Sequence, residues 1–145
     1  MLDEELATVI EDIAETLFAV PIARVCLPDD AFDASALTAC VDYSGGFQGA
    51  LRATLSAKLA RTLATLMMHK LRGSCSEDDV RDAVGEIANI AAGNLRGLLS
   101  VDCQVSLPRV SNLVVETAPI LSRAQFVLFE EPISVELRGV ANARA

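Results

Sequence analysis

The sequence predicts an α+β fold, an antiparallel sheet with long helices packed on it. Three observations predict it. Long segments repeat apolar residues at helical spacing, shorter ones alternate apolar and polar residues with period two, and a Ser44-Gly45-Gly46 turn joins two of the alternating runs. With 145 residues, 52% of them hydrophobic, and a mean hydropathy of +0.39, the chain is long enough for one hydrophobic core and too apolar for disorder. Residues 1–145 are read as a single domain, with no linker, low-complexity segment or strong internal repeat.

The elements follow in order. Leu6, Val9, Ile10, Ile13, Leu17 and Phe18 give Leu2 to Val20 the spacing of an amphipathic helix, ended by Pro21. Pro21 to Leu27 reads as a short strand, stopped by Pro28-Asp29-Asp30. Leu37, Ala39, Val41 and Tyr43 then alternate with Thr38, Cys40 and Asp42. After the glycine turn a return strand runs from Phe47 to about Leu55, with Phe47, Leu51 and Leu55 on one face and Gln48, Arg52 and Thr54 on the other. From Ser56 the period changes to a helical stripe of Leu59, Leu63, Leu66 and Met67, closed by the polar stretch Lys70 to Cys75.

Ser76 is placed to cap the next helix, and Glu77, Asp78 and Asp79 occupy its first turn, where the helix dipole favours acids. This helix is expected to run to about Ser100. Cys103, Val105 and Leu107 alternate with Asp102, Gln104 and Ser106 as a further strand. Two more strands, Gln125 to Phe129 and Ile133 to Gly139, are joined through Glu130-Glu131-Pro132.

Composition excludes several classes of function. A net charge of −8 argues against a nucleic-acid backbone binder. No apolar run is long enough for a membrane span, and Met1 to Glu5 is acidic where a secretory signal would be basic, so the cytoplasm is the expected location. The four cysteines, Cys26, Cys40, Cys75 and Cys103, form no C-x-x-C pair, and His69 is the one histidine, so no zinc spacing exists. Reduced, mostly buried thiols are expected, with His69 structural or exposed.

Chemistry concentrates on the helix from Asp79 to Leu99. At 3.6 residues per turn, Val80, Val84, Ile87, Ala91, Leu95 and Leu98 share a core-facing side. Opposite them run Asp82, Glu86, Asn89, Gly93 and then either Arg96 or Gly97. Glu86 and Asn89 are three residues apart, which places their Cβ atoms about 5–6 Å from each other. Gly93 continues the line without a side chain and leaves a notch where another molecule's backbone could approach. The helix also carries Gly85, Asn94 and Gly97, all poor helix formers, which points to a packing or functional reason. Gly85 and Gly97 suit close helix–helix contact, and Asn94, to the side of the wheel, is a candidate half-buried structural hydrogen-bonder. Composition alone predicts about 0.3 occurrences of E-x-x-N, so the spacing by itself is a weak signal.

The stretch Asp82-Ala-Val-Gly-Glu86-Ile-Ala-Asn89-Ile-Ala-Ala-Gly93-Asn94 closely resembles the signature helix of the CheC/CheX chemotaxis phosphatases. The glycine hairpin before a helix and the Ser106-Leu107-Pro108 segment after the signature helix also look like CheX, so the resemblance spans most of the domain. CheC-type members carry two such helices. Here the first helix has Glu11 and Glu15 but Ala14 and Phe18 where asparagine would stand, which favours a CheX-like chain with one site.

The resemblance implies an enzyme, a phosphatase that hydrolyses the aspartyl-phosphate of a CheY-like response regulator. By that analogy Glu86 and Asn89 are the catalytic residues. Glu86 pairs with the regulator's active-site lysine and Asn89 holds the attacking water, a role a carboxamide fills because it both accepts and donates. Asp82, Gly93 and Arg96 are the implied partner-binding residues. The chain itself needs no cofactor or metal, and Mg2+ is expected in the response-regulator partner. A homodimer is also implied, consistent with strand edges that need covering. The alternative is a non-catalytic module, CheX- or FliM-like, that docks a receiver domain or motor protein without turnover.

Overall fold

Acids at a helix start and an apolar face behind them build the first element. In the computed structural model, which describes residues 2–69, 73–112 and 118–140, α1 (Leu2–Ile13) carries Asp3, Glu4 and Glu5 in its first turn. It buries Leu6, Ala7, Val9, Ile10 and Ile13. The expected continuation to Val20 is corrected. From Ala14 to Phe18 the helix widens into a π turn, and Ala19 takes left-handed backbone at φ 54° with its N–H on the Glu15 carbonyl. Ala19 therefore ends the helix before Pro21 does. The strand expected from Pro21 to Leu27 shrinks to β1 (Ala23–Arg24), and beyond it the Leu27 N–H is taken up by the Gln125 side chain at 2.9 Å.

The hairpin forms where alternation and glycines place it, as β2 (Leu37–Gly45) and β3 (Gln48–Leu55). Leu37, Ala39, Val41 and Tyr43 are buried on one face with Leu51, Ala53 and Leu55. Gly45 has φ 99°, and a Cβ on Gly46 would lie 2.5 Å from the Asp102 carbonyl oxygen, so neither position accepts a side chain without a shift. Ser56 caps α2 (Ala57–Met67) by accepting from the Leu59 N–H. Leu59 and Leu63 are buried as expected, whereas Leu66 is exposed; of the closing stretch, Lys70 to Arg72 lie outside the described residues.

The longest element, α3 (Glu77–Arg96), starts in a capping box in which Ser76 and Asp79 satisfy each other's backbone N–H. It ends at Arg96, with Gly97 as its cap, rather than near Ser100. The Leu98 N–H turns back to the Leu95 carbonyl at 2.9 Å, which leaves Leu98 exposed and outside the core stripe it was assigned to.

Four strands follow: β4 (Cys103–Val105), β5 (Arg109–Ser111), β6 (Ile120–Leu128) and β7 (Glu131–Val140). Leu107 falls outside β4 and is 85% exposed, because Pro108 follows it and cannot donate to a ladder. The last turn is Phe129-Glu130, both at positive φ, the backbone a two-residue hairpin needs. Glu131 and Pro132 are thus strand residues, paired with Leu128 and Val127, not the connection.

All pairings are antiparallel, and the seven-stranded sheet has the order β1-β6-β7-β3-β2-β4, with β5 also on β2. The buried residues of β2, β3, β6 and β7 share one core cluster with those of α1, α2 and α3. The helices therefore cover one face of the sheet, and the described chain is α+β as expected. No helix among the described residues is long and apolar enough to cross a membrane.

Candidate functional site

Helix α3 is held against the sheet along its inner side. Val80, Ala83, Val84, Ile87, Ala88, Ala91, Ala92 and Leu95 are buried, so a stripe of alanines lets the helix approach β2 closely. Two polar ties fix its rotation. The Arg81 guanidinium donates to the Val110 carbonyl at 2.8 Å, and the Tyr43 hydroxyl donates to the Ala92 carbonyl at 2.7 Å. Burial pushes the Tyr43 phenol well above its ordinary range, so it stays a neutral donor. Gly85 is buried, and a Cβ there would meet Pro108 at 3.4 Å and Val110 at 3.5 Å. Its small size thus serves contact with a loop and strand rather than with another helix.

With the inner side fixed, the outer side is determined. Asp82, Glu86 and Gly93 are exposed and Asn89 is half-buried. Among the described residues, neither the Glu86 nor the Asn89 side chain has a hydrogen-bond or ion-pair partner. A Cβ on Gly93 would meet nothing within 4 Å, so the notch is open. Asn94 is exposed rather than half-buried. The structure brings Asp82, Glu86, Asn89 and Gly93 onto one free helix face.

Arg96 stands apart. It lies ten residues beyond Glu86, about 15 Å along the axis, and lines a cavity of about 1060 Å³ with Ser44, Gly97, Val101, Asp102 and Gln104. None of the other four candidates lines that cavity. The sequence reading missed the neighbouring loop. Leu107 is a large apolar side chain left in the open next to Pro108, which packs beside Gly85. The proline was the signal that the strand had ended.

The remaining chemistry-bearing groups form no competing centre. Among the described residues no cluster of His, Cys, Asp and Glu could hold a metal ion. The expectation of mostly buried thiols is corrected: Cys26 is exposed and Cys40, Cys75 and Cys103 are half-buried. Burial raises the Cys103 thiol, against a smaller opposing pull from Arg96, which disfavours the nucleophilic thiolate. His69 is exposed at a turn with φ 52°. On α1 and the π turn that follows it, Glu11 and Glu15 are exposed while Ala14 is buried, so no acid–amide pair forms there. The free face of α3 offers a carboxylate that can take a cation and a carboxamide that can hold a water, one helical turn apart.

Comparison with known proteins gives a family and a fold. The family model described as chemotaxis phosphatase CheX matches residues 37–128, which include the whole of α3. No curated protein matches the chain. Among solved structures, the chemotaxis protein CheX from Vibrio vulnificus superposes with a TM-score of 0.75 at 17% identity, covering 93% of each chain. The CheX protein from Desulfovibrio desulfuricans gives 0.74 at 19% identity, covering 96% of this chain and 99% of that one. A CheX–CheY–BeF3–Mg+2 complex from Borrelia burgdorferi gives 0.73 at 15% identity, covering 93% and 95%.

Proposed function

This chain belongs to the chemotaxis phosphatase CheX family, and from that premise we propose that it hydrolyses the aspartyl-phosphate of a CheY-like response regulator through Glu86 and Asn89. One observation carries the reading. On a helix otherwise locked to the sheet, these two side chains stand free and adjacent, beside a position with no side chain at all.

The chemistry follows from what a phosphorylated receiver lacks. Its own pocket supplies a lysine and Mg2+, so hydrolysis needs chiefly a water held in line with phosphorus. Asn89 accepts one hydrogen bond from that water and donates another, which fixes its orientation without taking its proton. Glu86 takes the receiver's lysine as an ion pair that is desolvated on docking, and so sets the distance of Asn89 from the phosphorus. The open Gly93 lets the receiver's backbone come close, and Asp82 contributes a contact one turn away. Arg96, at the far end of the helix, touches the partner only at its periphery. The described fold of the B. burgdorferi protein, seen with CheY, supports a receiver as the partner class.

The same reading takes residues 1–145 as one functional unit acting in the cytoplasm. It adds a homodimer, as the family resemblance implies, with the sheet edges at β1 and at β4 and β5 as the places a second copy would cover. Light scattering tests this: a dimer mass is expected, and a monodisperse monomer would remove the dimer from the account. The function itself is tested by following the decay of a phosphorylated receiver. Faster decay with the chain present is expected. Unchanged decay at concentrations where the two proteins bind would leave a docking module without turnover.

A further inference from the structure

The sheet face turned away from the helices gathers three arginines around one glutamate. Arg52 on β3, Glu136 on β7 and Arg123 on β6 form one cross-strand row, and Thr54, Ser134 and Gln125 form the next. Arg138 lies two residues from Glu136 on the same strand. Together with Leu27, Pro28 and Phe32 from the segment after β1, these residues line a cavity of about 320 Å³.

Glu136 cannot satisfy all three guanidinium groups. It accepts from Arg138 Nε at 2.8 Å, but Arg52 and Arg123 stand 3.8 and 3.9 Å from it, beyond hydrogen-bond reach. Neither the Arg52 nor the Arg123 side chain donates a hydrogen bond to a described residue. The Arg52 side chain is only 12% exposed, and its Nε is buried with no partner. An unmatched buried donor of this kind is costly, more so when charged. Ser134 Oγ accepts from Gln125 Nε2 at 3.3 Å, which leaves its hydroxyl hydrogen to donate. The arginines outnumber the acids of the lining, Glu136 and Asp29, in a chain whose net charge is −8.

We propose that this cavity binds a small molecule carrying a phosphate group, held between Arg52 and Arg123. Two guanidinium forks and a hydroxyl present more donors than the two oxygens of a carboxylate can accept, whereas a phosphate offers three oxygens and a double charge. Leu27, Pro28 and Phe32 add apolar surface to the same cavity, suited to the body of a phosphate ester. The site lies on the opposite side of the sheet from α3 and does not depend on the phosphatase reading.

The test is titration calorimetry of inorganic phosphate and of phenyl phosphate into the intact chain at fixed ionic strength, with Arg123→Met and Arg52→Lys as variants. Arg123 is half-exposed, so its replacement leaves the fold intact, which circular dichroism verifies. Saturable binding is expected, weakened about tenfold or more in Arg123→Met and in Arg52→Lys. Tighter binding of phenyl phosphate assigns an ester as the ligand, and equal binding assigns free phosphate. No saturable binding of either probe at about 10 mM, or binding undiminished in both variants, would overturn the proposal.

Discussion

The Tyr43 hydroxyl donates to the Ala92 carbonyl at 2.7 Å, tying the end of β2 to the turn of α3 that lies between Asn89 and Gly93. The bond is buried, and Tyr43 is also in edge contact with Phe47 at 5.6 Å between ring centroids. Tyr43→Phe keeps the ring and removes only the donor. The expected cost is about 0.5–1.5 kcal/mol, a fall in Tm of about 2–5 °C, measured by thermal unfolding. An unchanged Tm would mean that the alanine packing alone holds the helix.

Gly93 separates a structural role from a docking role. Its added Cβ meets nothing, and alanine is the better helix former by about 1 kcal/mol. Gly93→Ala should therefore raise Tm by about 2–4 °C, and Gly93→Trp should fold normally yet weaken receiver binding about tenfold or more. Full receiver affinity in Gly93→Trp would remove the notch from the docking surface.

Glu86 is exposed and without a partner in the chain, so its replacement should not disturb folding. Glu86→Lys places like charges together at the receiver's lysine. Receiver affinity and the acceleration of phosphate loss should both fall by about tenfold or more, read by calorimetry and by phosphoryl decay. A variant that binds as well as the wild type would show that the lysine contact is absent.

Asp3 gives the fold a pH dependence at its N-terminal side. The Ser122 hydroxyl donates to its carboxylate at 2.5 Å and the Arg123 N–H adds a second bond, and chiefly the Ser122 bond holds its pKa below the ordinary 3.8. A carboxyl whose folded pKa is depressed stabilises the fold above its unfolded pKa and loses that contribution as pH falls through the folded value. Asp3→Ala should lower Tm by about 1–3 °C at neutral pH, the small size reflecting the exposed site. The difference should close as pH drops below about 4. A gap that persists in acid would assign the effect to something other than the charge.

The sequence made the sheet hairpin and the site helix legible because each rests on local chemistry: Gly45 and Gly46 at the turn, Ser76 and Asp79 at the cap, and alternating or 3.6-period burial between. What it left obscure depends on the tertiary frame. β5 is three residues long and exists only as a partner of β2, and the start of β6 owes its order to β7. The π turn from Ala14 to Phe18 leaves Leu17 exposed, although a 3.6-residue spacing places it on the apolar stripe. At the site, the wheel placed Asp82, Glu86, Asn89 and Gly93 together. It could not show that Gly85 packs on Pro108, that Leu107 is left exposed, or that Arg96 lines a separate cavity.

In the proposed mechanism Asn89 supplies turnover while Glu86 chiefly anchors the partner. This division of roles is tested most directly by the rate of aspartyl-phosphate loss from a receiver saturated with wild-type chain or with Asn89→Ala, affinity being measured in parallel. Asn89→Ala should bind within about threefold of the wild type yet lose about a hundredfold of the acceleration. Full acceleration by Asn89→Ala at saturation would contradict it.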